Sequence, residues 1–131
     1  MDLTRYDVKA AADKGADLHL KNPFDNEPLM DGDQPVTITV LGRDAKAVQD
    51  ARKEAEKRHA KGDIDETERG LIPLVASVVG WSGLEFDGKV LDCTPENVRK
   101  VLTDPRTDWI AEQIIPFTLS RRNYSGNIAS G

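Results

Sequence analysis

Cysteine, histidine and aromatic residues are scarce in this 131-residue sequence, and each scarcity excludes something. The single cysteine, Cys93, cannot form an internal disulfide, so a stapled secreted scaffold is excluded and a reducing, cytoplasmic setting is expected. The two histidines, His19 and His59, fall on different predicted elements, and neither stands at metal-ligand spacing from the other or from Cys93. A catalytic thiol needs a base beside it, and the sequence places none next to Cys93. No apolar run approaches the roughly 18 residues of a membrane span, and no charged-then-apolar leader pattern is present, so no membrane partner is expected. Basic residues are outnumbered, 18 against 23 acidic, for a net charge of −5. A general nucleic-acid binder needs a basic face, so nucleic acid is not expected as a partner.

Chemical motifs are missing as well. Gly80, Gly83 and Gly88 lack the Gly-Lys-Ser/Thr of a phosphate loop. The acidic run from Asp25 to Asp33 puts Leu29 and Met30 where a calcium loop needs a ligand and a glycine. No Ser-His-Asp set or carboxylate pair can be placed on the predicted elements. The reading is therefore not an enzyme, with no catalytic residues, no metal and no cofactor.

What is present predicts an α+β fold: a small N-terminal β-hairpin element packed on a mainly α-helical core of about four helices. The length suits one domain. It is placed at residues 1–124, β-rich over 16–41 and helical over 44–122, with 125–131 a flexible C-terminal tail. The acidic excess sits in residues 1–41, which carry four basic and eight acidic groups. Val8–Ala12 predicts a helical turn ended by Gly15. Alternation at Leu18 and Leu20, and at Val36, Ile38 and Val40, predicts two pairing strands around a turn cluster at 22–28. Asp44 is the predicted cap of a charged helix through Lys61, whose narrow alanine stripe suggests a peripheral helix or one that docks on a partner. Asp63-Ile64-Asp65-Glu66 resembles a capping box. The apolar run Leu71–Val79 follows, with Pro73 a kink, and is read as a buried helix at the heart of the core. Asp87-Gly88 predicts a tight hairpin turn. Thr94-Pro95 starts one helix. Asp104-Pro105 repeats that device for a last helix, which Pro116 should bend or break. Tryptophan is enriched among binding hot spots, and Trp81 and Trp109 stand at element edges. With Phe86, Ile110 and Phe117 they are the candidate partner-binding residues, although core packing explains each of them equally well.

The order of segments also resembles a family. Asp-Leu-His-Leu-Lys-Asn-Pro and Val-Thr-Ile-Thr-Val-Leu-Gly-Arg-Asp come first, then a charged helix. Val-Val-Gly-Trp-Ser-Gly-Leu-Glu-Phe-Asp-Gly-Lys-Val-Leu follows, then Cys-Thr-Pro-Glu-Asn-Val-Arg-Lys-Val-Leu and Trp-Ile-Ala-Glu-Gln-Ile. This layout, over most of residues 16–124, is similar to small tail assembly chaperones of long-tailed bacteriophages and prophages. The resemblance implies a non-catalytic protein that binds the tape measure protein and helps tail-tube protein assemble around it, in the cytoplasm of the infected host. It leaves a homo-oligomer open. Proteins of this kind are often mostly helical, so the predicted strands sustain an alternative, a permanent structural subunit of the tail or head-tail junction. There Val36–Leu41 would be an adhesive sheet edge.

Overall fold

Short polar side chains cap the starts of three of the five α-helices. The computed structural model describes residues 1–128. Asp7 accepts a hydrogen bond from the Ala10 amide and opens α1 (Val8–Lys14). Gly15, at φ +74°, adopts the left-handed backbone that stops it. The chain then runs through β1 (Ala16–His19), a small hairpin β2 (Met30–Asp31) and β3 (Gln34–Pro35), and β4 (Thr37–Val40). Next come α2 (Lys46–Ala60), α3 (Glu66–Ser77), β5 (Val78–Trp81), the hairpin β6 (Glu85–Phe86) and β7 (Lys89–Val90), α4 (Pro95–Thr103) and α5 (Trp109–Leu119). A 3-10 helix, Arg121–Asn127, follows α5. The fold is α+β, as the pattern of the sequence predicts.

The main sheet is antiparallel, in the order β1-β4-β5. Leu18, Ile38 and Trp81 form one cross-strand row. That face packs on Val98, Val101 and Leu102 of α4 and on Ile110 and Ile114 of α5. Thr39 lies on the other face, where its hydroxyl donates to Asp17 at 2.7 Å. The Gln113 side chain on α5 brackets the backbone of Lys21, accepting from its amide and donating to its carbonyl at 2.8 Å each. The end of β1 is thereby fixed to the helical layer without an unpaired polar group.

Several elements differ from the sequence reading. The apolar run from Leu71 does not continue as one helix: α3 ends at Ser77, and Val78–Trp81 leaves it as β5. α3 has mostly half-buried side chains, and the core lies instead between the sheet, α4 and α5. β4 is the middle strand, paired on both sides, so Val36–Leu41 is not a free edge. Asp44 does not cap α2. It accepts from the Arg121 guanidinium at 2.8 and 3.1 Å, while the Asp13 carboxylate of α1 accepts from the Lys46 amide. Asp65, not Asp63, caps α3, accepting from the Glu68 amide. α5 begins at Trp109 because Asp104 closes a turn onto the Arg106 and Asp108 amides, and it runs through Pro116. The Thr94 cap and the turn at Asp87 (φ 52°) and Gly88 (φ 79°) stand where the sequence predicts them.

The end of the chain is corrected most. Residues 125–128, expected to belong to a flexible tail, continue the 3-10 helix and its cap against α1; residues 129–131 lie outside the described residues. Asn127 donates to the carbonyls of Ala11 and Gly15, and the buried Tyr124 hydroxyl donates to the Val40 carbonyl. Phe117 packs edge-on against the Tyr124 ring, 5.9 Å between centroids. Gly42 makes this clamp fit. A Cβ there would stand 2.8 Å from the Ala12 Cβ and 3.2 Å from the Tyr124 ring. Gly42→Ala is therefore expected to cost about 1–3 kcal/mol by overpacking, measured by urea denaturation; an unchanged midpoint would contradict the close packing.

Burial pushes the Tyr124 hydroxyl up to about 12 from 10.0. Its neutral form then stabilises the fold fully below pH 10, where the unfolded side chain starts to ionise, and that contribution is lost as pH rises through about 12. Between those values the Tm of the wild type is expected to fall more steeply than that of Tyr124→Phe. Parallel curves would contradict the assignment.

Candidate functional site: a three-helix groove

The aromatic candidates are not gathered on one surface. Phe86 and Ile110 are buried in the core, at 8% and 6% exposure, a place that the sequence reading left open for both. Trp81, Trp109 and Phe117 are half-buried against the same cluster. The Trp81 indole also donates to the Leu91 carbonyl at 2.8 Å, which fixes the β6–β7 hairpin. Phe86 lies beneath the cations of Lys100 and Arg106. Arg106 in turn bridges Asp87 and Asp104, and its hydrogen bonds hold the Asp104 carboxyl down at about 2. These residues staple a hairpin to a helix turn.

Apolar surface is left uncovered elsewhere. α5 is apolar around most of its circumference, and Ile110 and Ile114 bury one side of it. Ile115 and Leu119, one turn apart, remain 45% and 47% exposed. They form one wall of an open groove of about 350 Å³. Its floor is a stripe of α3 containing Gly70, Pro73 and Leu74, and its other wall is α2 at Val48, Arg52 and Glu56. α2 packs along α3 as a helical hairpin with Ala55 buried, while Ala45, just before α2, packs with Ala12, Leu41 and Val48. The docking partner of α2 is its own chain. Gly70 faces open space, with nothing within 4 Å of where a Cβ would lie.

Charges of both signs line the groove. Arg43 precedes α2 and Arg52 lies in the middle of it, one turn before Glu56, and no carboxylate forms an ion pair with either among the described residues. Near the start of α3, Glu56 and Glu66 share Arg69, and His59 also approaches Glu66, at 3.5 Å. Arg121 holds Asp44 below the usual carboxylate range by hydrogen bonding.

The other side of the α2–α3 hairpin carries a broader hollow, lined by Ala51, Val75, Val79 and Cys93. Burial raises the Cys93 thiol, which keeps it protonated rather than nucleophilic. The ring of His19 meets the Leu29 carbonyl at 2.9 Å, a structural contact. Among the described residues no three His, Cys, Asp or Glu side chains stand together as a metal site, and no helix is long and apolar enough to cross a membrane. The groove residues Gly70, Ile115 and Leu119 are absent from the sequence-based candidates. The available signals were the doubled Ile114-Ile115 in a helix without a polar face, and a glycine inside a predicted helix.

Compared with protein-family models, curated proteins and solved structures, the chain matches none of them significantly.

Proposed function

We propose that this chain is a non-catalytic assembly factor of the phage tail chaperone kind, and that its groove holds an apolar helical stretch of the tape measure protein until tail-tube protein replaces it. The observation that supports this reading is the groove itself. Two helix walls and a glycine-containing helical floor leave Ile115 and Leu119 half exposed, in a shape and chemistry suited to helix-in-groove recognition. A partner that must later leave is better served by an open groove than by full enclosure, because release rate dominates affinity. The same role places the chain in the host cytoplasm during assembly. The rival reading as a permanent tail subunit relied on the edge of Val36–Leu41, and that strand is paired on both sides.

Co-expression with the tape measure protein of the same tail, followed by affinity capture, tests the proposal together with mass spectrometry of mature particles. Capture of the tape measure protein and absence of the chain from particles is the expected result. Presence in particles at fixed copy number would overturn it in favour of the structural subunit.

A further inference from the structure

A pocket of about 230 Å³ lies between α1 and the 3-10 helix that follows α5, apart from the groove except that Arg43 and Thr118 border both. Val8, Ala11, Ala12, Gly42, Tyr124 and Ile128 line it, and Ala11, Ala12 and Tyr124 are buried. Most hydroxyls in its wall are already committed. Thr118, Tyr124 and Ser125 donate to the carbonyls of Leu41, Val40 and Arg122. The remaining lining hydroxyl belongs to Tyr6, which is exposed. Such a wall offers burial to an apolar group and little to a sugar or a nucleobase, whose polar edges would lose their hydrogen bonds to water.

The charged residues around the pocket are mostly cationic, in a chain whose net charge is −5. Arg43, Arg121 and Arg122 line it together with one acidic residue, Asp44. Arg121 is taken up by the Asp44 carboxylate, at 2.8 and 3.1 Å. Arg43 and Lys9 add to the positive field at Asp44. Arg43, Arg122 and Lys9 have no ion-pair partner among the described residues. We infer that this pocket binds a small apolar group bearing a single carboxylate, its hydrocarbon against Ala11, Ala12 and the Tyr124 ring and its carboxylate on Arg43 or Arg122. An apolar cavity of about 150 Å³ holds benzene, so this one has room for a single ring on a short chain. The carboxylate can come from a free organic acid or from the last residue of a peptide.

Heteronuclear NMR titration of the full chain with phenylpropionate, with its neutral amide and with a short peptide ending in phenylalanine tests this. At neutral pH the free acid is expected to shift the backbone N–H resonances of Ala11, Ala12, Gly42 and Tyr124 saturably, and the neutral amide to bind about tenfold more weakly. The double variant Arg43→Gln/Arg122→Gln should lose about the same factor for the acid and bind the neutral amide as the wild type does. It should melt as the wild type does, since both side chains are exposed and unpaired. A peptide that binds more tightly than the free acid would mark a chain terminus as the source, and one that binds more weakly would mark a free acid; either result supports the site. No saturable shift at those four positions from acid or peptide would overturn the inference. Equal binding of acid and neutral amide would overturn it too, as would acid binding that the double variant leaves unchanged.

Discussion

Gly70→Leu is expected to reduce capture of the helical partner by about a hundredfold or more while leaving the melting temperature unchanged or higher. Glycine inside a helix is about 1 kcal/mol less favourable than alanine, and leucine is close to alanine on that scale. Position 70 is in the interior of α3, and nothing stands within 4 Å of an added Cβ, so the fold itself has room for the new side chain. That same room is the floor of the groove. Packed helices approach to about 8–10 Å between axes only where the side chains at the crossing permit it. A leucine there fills the space that the partner's ridge would occupy. Stability and binding should therefore move independently, which a thermal melt and a pull-down on the same preparation would record. A variant that binds as well as wild type would remove the groove from consideration, and one that unfolds would mean that Gly70 is required by the fold.

The second large effect separates two adjacent residues. Ile114 is fully buried between the sheet and α4, whereas Ile115 is 45% exposed in the groove. Ile114→Ala should cost about 2–5 kcal/mol through lost burial and the cavity left behind. That is a large share of the roughly 5–15 kcal/mol that stabilises a domain of this kind. Ile115→Ala should cost about 1 kcal/mol or less, because it removes only partly buried surface, and yet weaken partner capture. Chemical denaturation of both variants, with the slope against denaturant held constant, measures the contrast. Equal destabilisation would mean that α5 is covered on both sides and that the groove is closed.

These residues also indicate what a sequence can carry. Signals whose physics is local were legible: Thr94 followed by Pro95, Asp87 before Gly88, and the alternation of Val36, Ile38 and Val40 all act within a few residues of themselves. Features completed by distant chain were not. Val78 and Val79 continue an apolar helical run, and only hydrogen bonding to β4 converts them to a strand. The cap of α2 comes from Asp13, more than thirty residues away, which frees Asp44 for Arg121. Tyr124 reads only as the last residue before the predicted tail, and the Val40 carbonyl, across the fold, accepts its hydroxyl hydrogen. The placement of the partner-binding candidates also depends on distant chain. Phe86 and Ile110 are apolar enough to bind a partner, and their own chain covers them first. The groove is assembled from three helices, so no single segment contains its pattern.

The most direct measurement is site-specific photo-cross-linking of this chain during co-expression with the tape measure protein. A photoreactive residue at Leu119 sits in the groove, and one at Val90, 70% exposed on β7, serves as a reference outside the residues that line it. Cross-links to the tape measure protein from position 119 and none from position 90 are the predicted result. Cross-links from position 90 alone, or none to the tape measure protein from either site, would contradict the proposed role of the groove.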